Sequence, residues 1–261
     1  MNTYDENVKN QIDAWLAEER EARMEGWDFS HIEGRFYEDT NLPFNYRDEI
    51  LSHLTPSMRL LDIDTGGGEF LLSLGHPREL TAASENYAPN IDFCRRKLLP
   101  LGIDFRAGAA DALPFPDGSF DIIINRHGDI YIDEIWRLLR PGGFFITEQV
   151  GSDNDRELIE LLMGEDTPIY YPDHYAFTLA DRMAEAGFEI TRSAETYRTI
   201  RFFDTGALVW FAKIIEWEFR GFSVEKSLDR LIEVQRMIED GGYVGGKTHR
   251  FLISARKPEC K

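Results

Sequence analysis

The sequence predicts an α/β protein with a doubly wound, seven-stranded, mostly parallel sheet. From residue 59 onwards, short apolar runs alternate with amphipathic helical patterns, which is typical of strands connected by crossover helices. A glycine-rich turn, Thr65-Gly66-Gly67-Gly68, directly follows the first run, as expected where a parallel strand leads into a helix. Hydrophobic residues make up 43% of the chain, which is enough for a core of this size.

Seven apolar or β-branched segments predict the strands: residues 59–64, 80–84, 103–106, 120–125, 144–150, 188–203 and 250–255. Helix signals stand between them. Pro89 occupies a position that favours the first turn of a helix, and Pro141-Gly142-Gly143 would end the helix that begins near Ile130. Thr178 and Asp181 predict the start of a further helix, which Gly187 ends.

The segments outside this alternating pattern predict additions to the core. A charged amphipathic helix over 5–25 and an irregular aromatic stretch indicate an N-terminal helical extension or lid over 1–50, ahead of a domain spanning 51–261. Two helical patterns before the last strand predict a helical insertion over 205–247. Trp27 belongs to the irregular aromatic stretch. The aromatic side chains before the core and in or near the insertion are interpreted as additional core, with an acceptor pocket as the alternative: Phe29, Phe36, Tyr37, Phe44, Phe202, Phe203, Trp210, Phe211, Trp217 and Phe219.

Charge and composition restrict the partners. The formal net charge of -18 makes nucleic acid an improbable partner, because a phosphate backbone needs a basic surface. Two cysteines without metal-ligand spacing, Cys94 and Cys260, indicate no metal site and suit a reducing cytoplasm. The acidic N-terminus does not resemble a signal peptide, and no apolar stretch approaches the roughly 20 residues of a membrane span. We therefore expect a cytoplasmic protein that does not enter membranes.

The glycine turn distinguishes between two classes of cofactor. Dinucleotide-binding enzymes carry G-x-G-x-x-G, in which the third glycine allows close packing of helix on strand. Here Gly66 and Gly68 are present, but Leu71 occupies the third position. The turn therefore disfavours a nicotinamide-dependent oxidoreductase.

The stretch from Leu60 to Glu69 instead resembles the first motif of the class I S-adenosylmethionine-dependent methyltransferases, with Asp62, Gly66 and Gly68 in matching positions. Asp64 stands where that family usually has glycine. Aspartate tolerates left-handed backbone angles better than most residues, so the turn can form. Either Asp64 only fills the turn, or its carboxylate faces the ammonium group of the cofactor. A third alternative is a catalytically silent module that binds the cofactor or has lost it.

The resemblance continues in order over residues 58–150. Glu85 ends the second strand, where the family's acid holds both ribose hydroxyls, and Asp111 lies in the loop where an acid accepts from the adenine amino group. The group it resembles includes ubiquinone-type biosynthetic methyltransferases, and it implies S-adenosylmethionine as the cofactor. The cofactor-binding residues that the resemblance implies are Asp62, Asp64, Gly66, Gly67, Gly68, Glu85, Asn86, Asp111, Ala112 and Asn125.

The residues that follow the fourth strand face the transferred methyl group in this family. His127 is the candidate base for an acceptor proton, and Arg126 is the candidate ligand for an acceptor carboxylate or phosphate. The alternative is that both only pack beside the next helix. Glu148 and Gln149, at the end of the fifth strand, are candidates for the cleft wall. The resemblance predicts methyl transfer to a small-molecule acceptor, with RNA or protein as the alternative acceptor.

Overall fold

The computed structural model describes residues 5–23 and 29–259, so Trp27 and Cys260 lie outside the described residues. Its strands are β1 (Phe36–Glu38), β2 (Leu60–Ile63), β3 (Thr81–Glu85), β4 (Asp104–Ala107), β5 (Phe120–Arg126), β6 (Leu139–Val150), β7 (Glu189–Phe202) and β8 (Val244–Arg256). Its α-helices are α1 (Glu6–Glu21), α2 (Tyr46–His53), α3 (Glu69–Ser73), α4 (Ala88–Leu98), α5 (Ile132–Leu138), α6 (Arg156–Met163), α7 (Ala176–Glu185), α8 (Thr205–Ile214) and α9 (Leu228–Gly241).

The strands form one sheet in the order β1-β7-β8-β6-β5-β2-β3-β4. The pairs β2–β3, β2–β5, β3–β4 and β5–β6 are parallel, whereas β8 is antiparallel to β6 and β1 is antiparallel to β7. The prediction of a mostly parallel α/β sheet is confirmed. The predicted count of seven strands was wrong, because the described residues contain eight.

The additional strand, β1, has only three residues. Phe36 pairs with Phe202 across β1 and β7, and their rings stack with centroids 5.9 Å apart. A strand this short cannot display the alternation of apolar and polar residues that identifies a strand from sequence. Its position depends on a partner far away in the chain.

The order in which strands are added to the sheet reverses between β2 and β5. The neighbours of β2 are β3 on one side and β5 on the other, so the crossover connections leave β2 and β5 towards opposite edges. Loops at the carboxyl ends of two such strands separate and leave a crevice, which is the usual ligand position in open α/β sheets. The glycine turn follows β2 directly, so the sequence places it at this crevice.

The chain divides into two compact units, each with its own core. The unit that we call the sheet unit contains residues 43–151, 173–196 and 250–259, and the unit that we call the helical unit contains residues 5–23, 29–42, 152–172 and 197–249. Fully buried Leu61, Ile123 and Phe145 lie in the sheet-unit core. The division of the chain at residue 50 and the insertion over 205–247 stay predictions.

The core of the helical unit is built from aromatic side chains. Phe202, Trp210, Phe211 and Phe219 are buried there, and the Phe29 ring packs with its centroid 6.2 Å from that of Trp210. Such rings bury large apolar areas and form much of a small core. The interpretation of these four side chains as core is confirmed, while Phe203 and Trp217 remain about two-fifths exposed.

Several predicted boundaries were wrong. The sequence did not predict helix α6. Helix α7 was predicted to begin near Thr178, but it begins at Ala176, whose amide donates to Glu195 Oε1. Strand β8 begins at Val244, six residues before the predicted start. Strand β6 begins at Leu139, so the Pro141-Gly142-Gly143 segment lies within the strand. Within the described part of the chain, no helix combines the length and the apolar character that crossing a membrane requires.

Candidate active site

The glycine turn after β2 adopts the backbone that its residues were expected to allow. Gly66 and Gly68 have φ of 61° and 73°, in the left-handed region that glycine enters without strain. A Cβ atom at Gly68 would lie 2.9 Å from Leu98, so glycine here lets α3 approach α4. A Cβ atom at Gly66 would meet no atom of the described residues within 4 Å. The backbone at Gly66 therefore faces open space that a ligand can occupy.

Two side chains of α4 donate hydrogen bonds to backbone carbonyl groups of the glycine turn. The Cys94 thiol donates to the Gly66 carbonyl at 2.9 Å, and the Lys97 ammonium donates to the Gly67 carbonyl at 2.8 Å. Lys97 also pairs with Glu69 in the first turn of α3. The carbonyl groups of the turn thus have protein partners, which fixes the direction of its amide groups.

Glu85 ends β3 and is 4% exposed. One carboxylate oxygen accepts from the Gly66 amide at 2.9 Å and from the Asn90 side chain at 3.4 Å. The other accepts from the Asn86 and Tyr87 amides, both at 2.9 Å. A carboxylate has about four acceptor sites, so Glu85 connects the glycine turn to the start of α4. Sequence analysis placed Glu85 and Asn86 at the cofactor, and the structure brings both beside Gly66.

Asp62 lies at the base of the turn and is 5% exposed. Its carboxylate accepts a hydrogen bond from the Thr65 hydroxyl at 2.6 Å. Burial is the largest influence on this carboxyl and raises its pKa to about 7, while the Thr65 bond and the charge of Arg126 act in the opposite direction. Asp62 therefore helps to shape the turn from inside and does not face open space.

Asp62 makes the stability of the protein depend on pH. Its folded pKa is about 7, whereas an aspartate in an unfolded chain titrates near ~3.9. Between these values the folded chain keeps a proton that the unfolded chain has released, so stability falls as pH rises. A group with such a pKa makes the free energy of unfolding about 1 kcal/mol larger at pH 6 than at pH 8.

Urea unfolding at pH 6 and pH 8 checks this expectation. In the Asp62→Asn variant the difference between the two pH values should shrink by that amount, because the amide does not titrate. An unchanged difference would assign the pH dependence to other groups.

Asn125 ties the ends of three strands together and is 1% exposed. Its side-chain amide donates to the Ile63 carbonyl at 3.2 Å, and its side-chain oxygen accepts from Gln149 at 2.7 Å. The Tyr46 hydroxyl donates to the backbone carbonyl of Asn125 at 3.0 Å. Asn125, predicted as a cofactor ligand, has its side chain engaged within the protein and positions the turn that follows Ile63.

A charged cluster of Arg126, His127 and Glu148 lies at the carboxyl ends of β5 and β6. His127 has φ of 60° and lies with its imidazole Nε2 3.9 Å from Glu148 Oε1. Burial, followed by the positive charges of Arg250 and Arg126, lowers the pKa of His127, so its ring is neutral at pH 7. Burial raises the pKa of Glu148, against the effect of the same two arginines. Arg126 is the register partner of Glu148 across β5 and β6, so Arg126 and His127, the two residues predicted for the acceptor, both lie beside Glu148.

Sequence reasoning missed or understated three members of this neighbourhood. The guanidinium of Arg126 lies 5.0 Å from the centroid of the Phe70 ring, and that ring stacks on Tyr46 at 5.1 Å. Tyr46 belongs to a helix before the first core strand, so no motif pointed to it. Arg250 lies near the cluster because it is the register partner of Val150 in the antiparallel pair β6–β8. That register has no local signal in the sequence.

Asp111 and Ala112 were predicted as cofactor-binding residues. Among the described residues, no hydrogen bond joins either of them to the glycine turn or to Glu85. Both are exposed, and the Ala112 amide donates to the Ala109 carbonyl. Asp111 lines a surface cavity of about 660 Å³, whose other walls include Tyr131, Asp133 and Arg182. The loop as a whole stays beside Glu85, because the Gly108 amide donates to the Glu85 carbonyl at 3.2 Å.

Comparison with known proteins identifies the region that contains this site. Residues 61–147 match a family model described as a methyltransferase domain. This segment is therefore similar to a methyltransferase domain. The predicted resemblance is confirmed, and S-adenosylmethionine is the cofactor that the family supports. The matched residues begin in β2 and end in β6, and they include the glycine turn, Glu85 and the 125–129 loop.

Individual relatives agree with this assignment over the same part of the chain. The fatty-acid O-methyltransferase of Mycolicibacterium smegmatis is 36% identical over 88 residues, which are 31% of this chain and 32% of that protein. The phthiotriol/phenolphthiotriol dimycocerosates methyltransferase of Mycobacterium tuberculosis is 34% identical over 97 residues, which are 34% of this chain and 36% of that protein. The chain thus matches about a third of the length of these relatives.

A solved structure extends the likeness in fold beyond the matched segment. A candidate methyltransferase from Bacillus halodurans superposes with a TM-score of 0.57, over 81% of this chain and 98% of that one, at 19% identity. At this level of identity the likeness shows the fold. The chain therefore has the Rossmann-like sheet that the sequence predicted.

Proposed function

We propose that this protein transfers a methyl group from S-adenosylmethionine to a small-molecule acceptor. The observation that carries the proposal is the arrangement at the crevice, where the open backbone of Gly66 is bonded to the buried Glu85 carboxylate. The charged cluster of Arg126, His127 and Glu148 lies at the carboxyl ends of the neighbouring strands β5 and β6. One half of this arrangement suits an adenosyl cofactor, and the other half suits a polar acceptor.

The cofactor-binding role falls to the residues that the resemblance implied. Gly66, Gly67 and Gly68 offer backbone close to a ligand, and Glu85 and Asn86 lie beside them. The Asp64 carboxylate supports this fit, because one of its oxygens is buried without a hydrogen-bond partner among the described residues. In the proposal, Asp62 and Asn125 hold the shape of this region, while Asp111 and Ala112 border the adenine end.

The proposed cofactor supplies a methyl group on a sulfonium, which is already a good leaving group. The protein's contribution is then to orient the acceptor and to exclude water. An acceptor with an acidic proton also needs a base. Glu148 suits that task better than sequence analysis indicated, because its pKa is raised towards neutral pH while that of His127 is lowered.

We further propose an acceptor with a carboxylate or phosphate group. Arg126 is exposed, and its guanidinium is held on the Phe70 ring, so it presents donors at the mouth of the crevice. Arg250 adds a second positive charge beside His127 and Glu148. The similarity to a protein named as a fatty-acid O-methyltransferase supports the same class of acceptor.

The proposal also includes the partner class and the cellular location that the sequence predicts. The acidic surface supports a small molecule and not a nucleic acid as acceptor, and the two cysteines support a cytoplasmic location.

Transfer of a labelled methyl group from S-adenosylmethionine to a panel of fatty acids, phenols and amines tests the proposed function. We expect transfer to acids, with a KM about tenfold higher in Arg126→Met, which keeps an unbranched flexible side chain and removes the charge. The KM for neutral acceptors should change little in the same variant. Transfer to amines with no turnover of acids would contradict the proposed acceptor class.

A further inference from the structure

Asp64 occupies the position before the turn at which the resembled family usually has glycine. Its φ is 56°, in the left-handed region that strains any residue other than glycine. Strain of this kind persists where the surrounding structure or a function maintains it. The side chain points towards the 125–129 loop, since a Cβ atom at Gly128 would lie 2.7 Å from Asp64 Oδ2.

One oxygen of the half-buried Asp64 carboxylate has no donor among the described residues. Its Oδ1 atom is buried and accepts no hydrogen bond from the described residues. Burial and the negative charges of Glu85 and Asp129 raise the pKa of Asp64 to about 6, and Asp62 lies two residues away. A buried carboxylate among like charges is unfavourable unless a cation or a donor reaches it.

We propose that the Asp64 carboxylate binds the α-ammonium group of the cofactor's methionyl arm, an inference that rests on the proposed function. Two groups on that arm are positive, but only the ammonium carries N–H donors, and Oδ1 needs a donor. The cofactor's own carboxylate is excluded from this position by charge. Asp64 then performs with a side chain a task for which a glycine at the same position offers only backbone atoms.

The strain at Asp64 and its unsatisfied oxygen have a common explanation under this proposal. The αL angle is accompanied by a carboxylate that lies against the loop after β5, next to Gly128. A charge-assisted hydrogen bond in such a place contributes about 1.5–3 kcal/mol, or roughly 10-fold to 100-fold in affinity. Below about pH 6 the protonated acid loses most of this preference for a cation.

Calorimetry on the full chain tests the inference with S-adenosylhomocysteine and its desamino analogue, in which a hydrogen atom replaces the α-ammonium group. At pH 7.5 the wild type should bind S-adenosylhomocysteine at least about tenfold more tightly than the analogue. Asp64→Asn keeps the shape, and Asp64→Gly suits the positive φ, so both should fold. Both should lose most of the preference, while their affinity for 5′-methylthioadenosine, which lacks the whole arm, stays the same.

Asp129→Asn is the matched control. It removes a neighbouring carboxylate and should keep the preference for the ammonium group. A second readout is pH, since the preference should decline between pH 7.5 and pH 5 in the wild type and remain flat in Asp64→Asn.

Two results would overturn the inference in distinguishable ways. Equal or tighter binding of S-adenosylhomocysteine by Asp64→Gly, with the preference for the ammonium group intact, would show that the carboxylate does not hold it and would leave the proposed function standing. Absence of binding of S-adenosylhomocysteine and S-adenosylmethionine to the wild type at millimolar concentration would remove the proposed function and this inference together.

Discussion

Replacement of Glu85 by alanine is expected to weaken the binding of S-adenosylhomocysteine by at least about 100-fold, which corresponds to about 2.7 kcal/mol. The carboxylate accepts from the Gly66, Asn86 and Tyr87 amides in a buried position. Its removal leaves these amides without their acceptor, at a cost of about 1–3 kcal/mol each. The turn and the start of α4 then lose the connection that fixes their relative position.

Two variants separate this effect from a general loss of structure. Glu85→Gln retains one acceptor oxygen, so it should keep one side of the network and show an intermediate loss. Glu79→Ala removes an exposed acid just before β3 and should leave the affinity unchanged. Calorimetry, with circular dichroism to verify folding, gives the comparison. Affinity of Glu85→Ala within a factor of three of the wild type would contradict the role of this carboxylate.

Replacement of Asn125 by alanine is expected to lower the free energy of unfolding by about 3 kcal/mol. The side chain is buried and satisfies the Ile63 carbonyl and the Gln149 amide at once. Alanine takes the side-chain donor from the Ile63 carbonyl, leaves the Gln149 amide with only the Gly128 carbonyl and the Thr147 hydroxyl as acceptors, and also leaves a cavity. The loss should appear in urea unfolding as a lower midpoint at constant slope.

A double-mutant cycle with Gln149→Ala tests whether the network acts as a unit. Because the two side chains share a hydrogen bond, the double variant should cost less than the sum of the single variants, by at least about 1 kcal/mol. Additive costs within about 0.5 kcal/mol would show that Asn125 stabilises the sheet independently of Gln149.

The central strands could be predicted because their signals are local. Strands β2 and β5 are buried on both faces of a parallel sheet, so they appear as continuous apolar runs, and the glycines after β2 mark the turn. Helix α6 also has a local signal, since Leu158, Ile159 and Leu162 are buried on one face. Its first residue follows Asp155 at φ of 54°, without a side-chain cap, so the usual start signal was absent.

The rest of the fold and the site depends on contacts between distant parts of the chain. Tyr46 reaches the carbonyl of Asn125, and Arg250 enters the site through the register of β8 on β6. Neither contact follows from the spacing of residues within one element. The resemblance predicted which residues surround the cofactor, but not that Asn125 and Asp62 would be occupied by bonds inside the protein.

A crystal structure of the protein grown with S-adenosylhomocysteine is the most direct test of cofactor binding at the glycine turn. We expect electron density along the backbone at Gly66, with the ribose beside the end of β3 and the amino group at Asp64. Density for the ligand at any other place, with the glycine turn unchanged and empty, would contradict it.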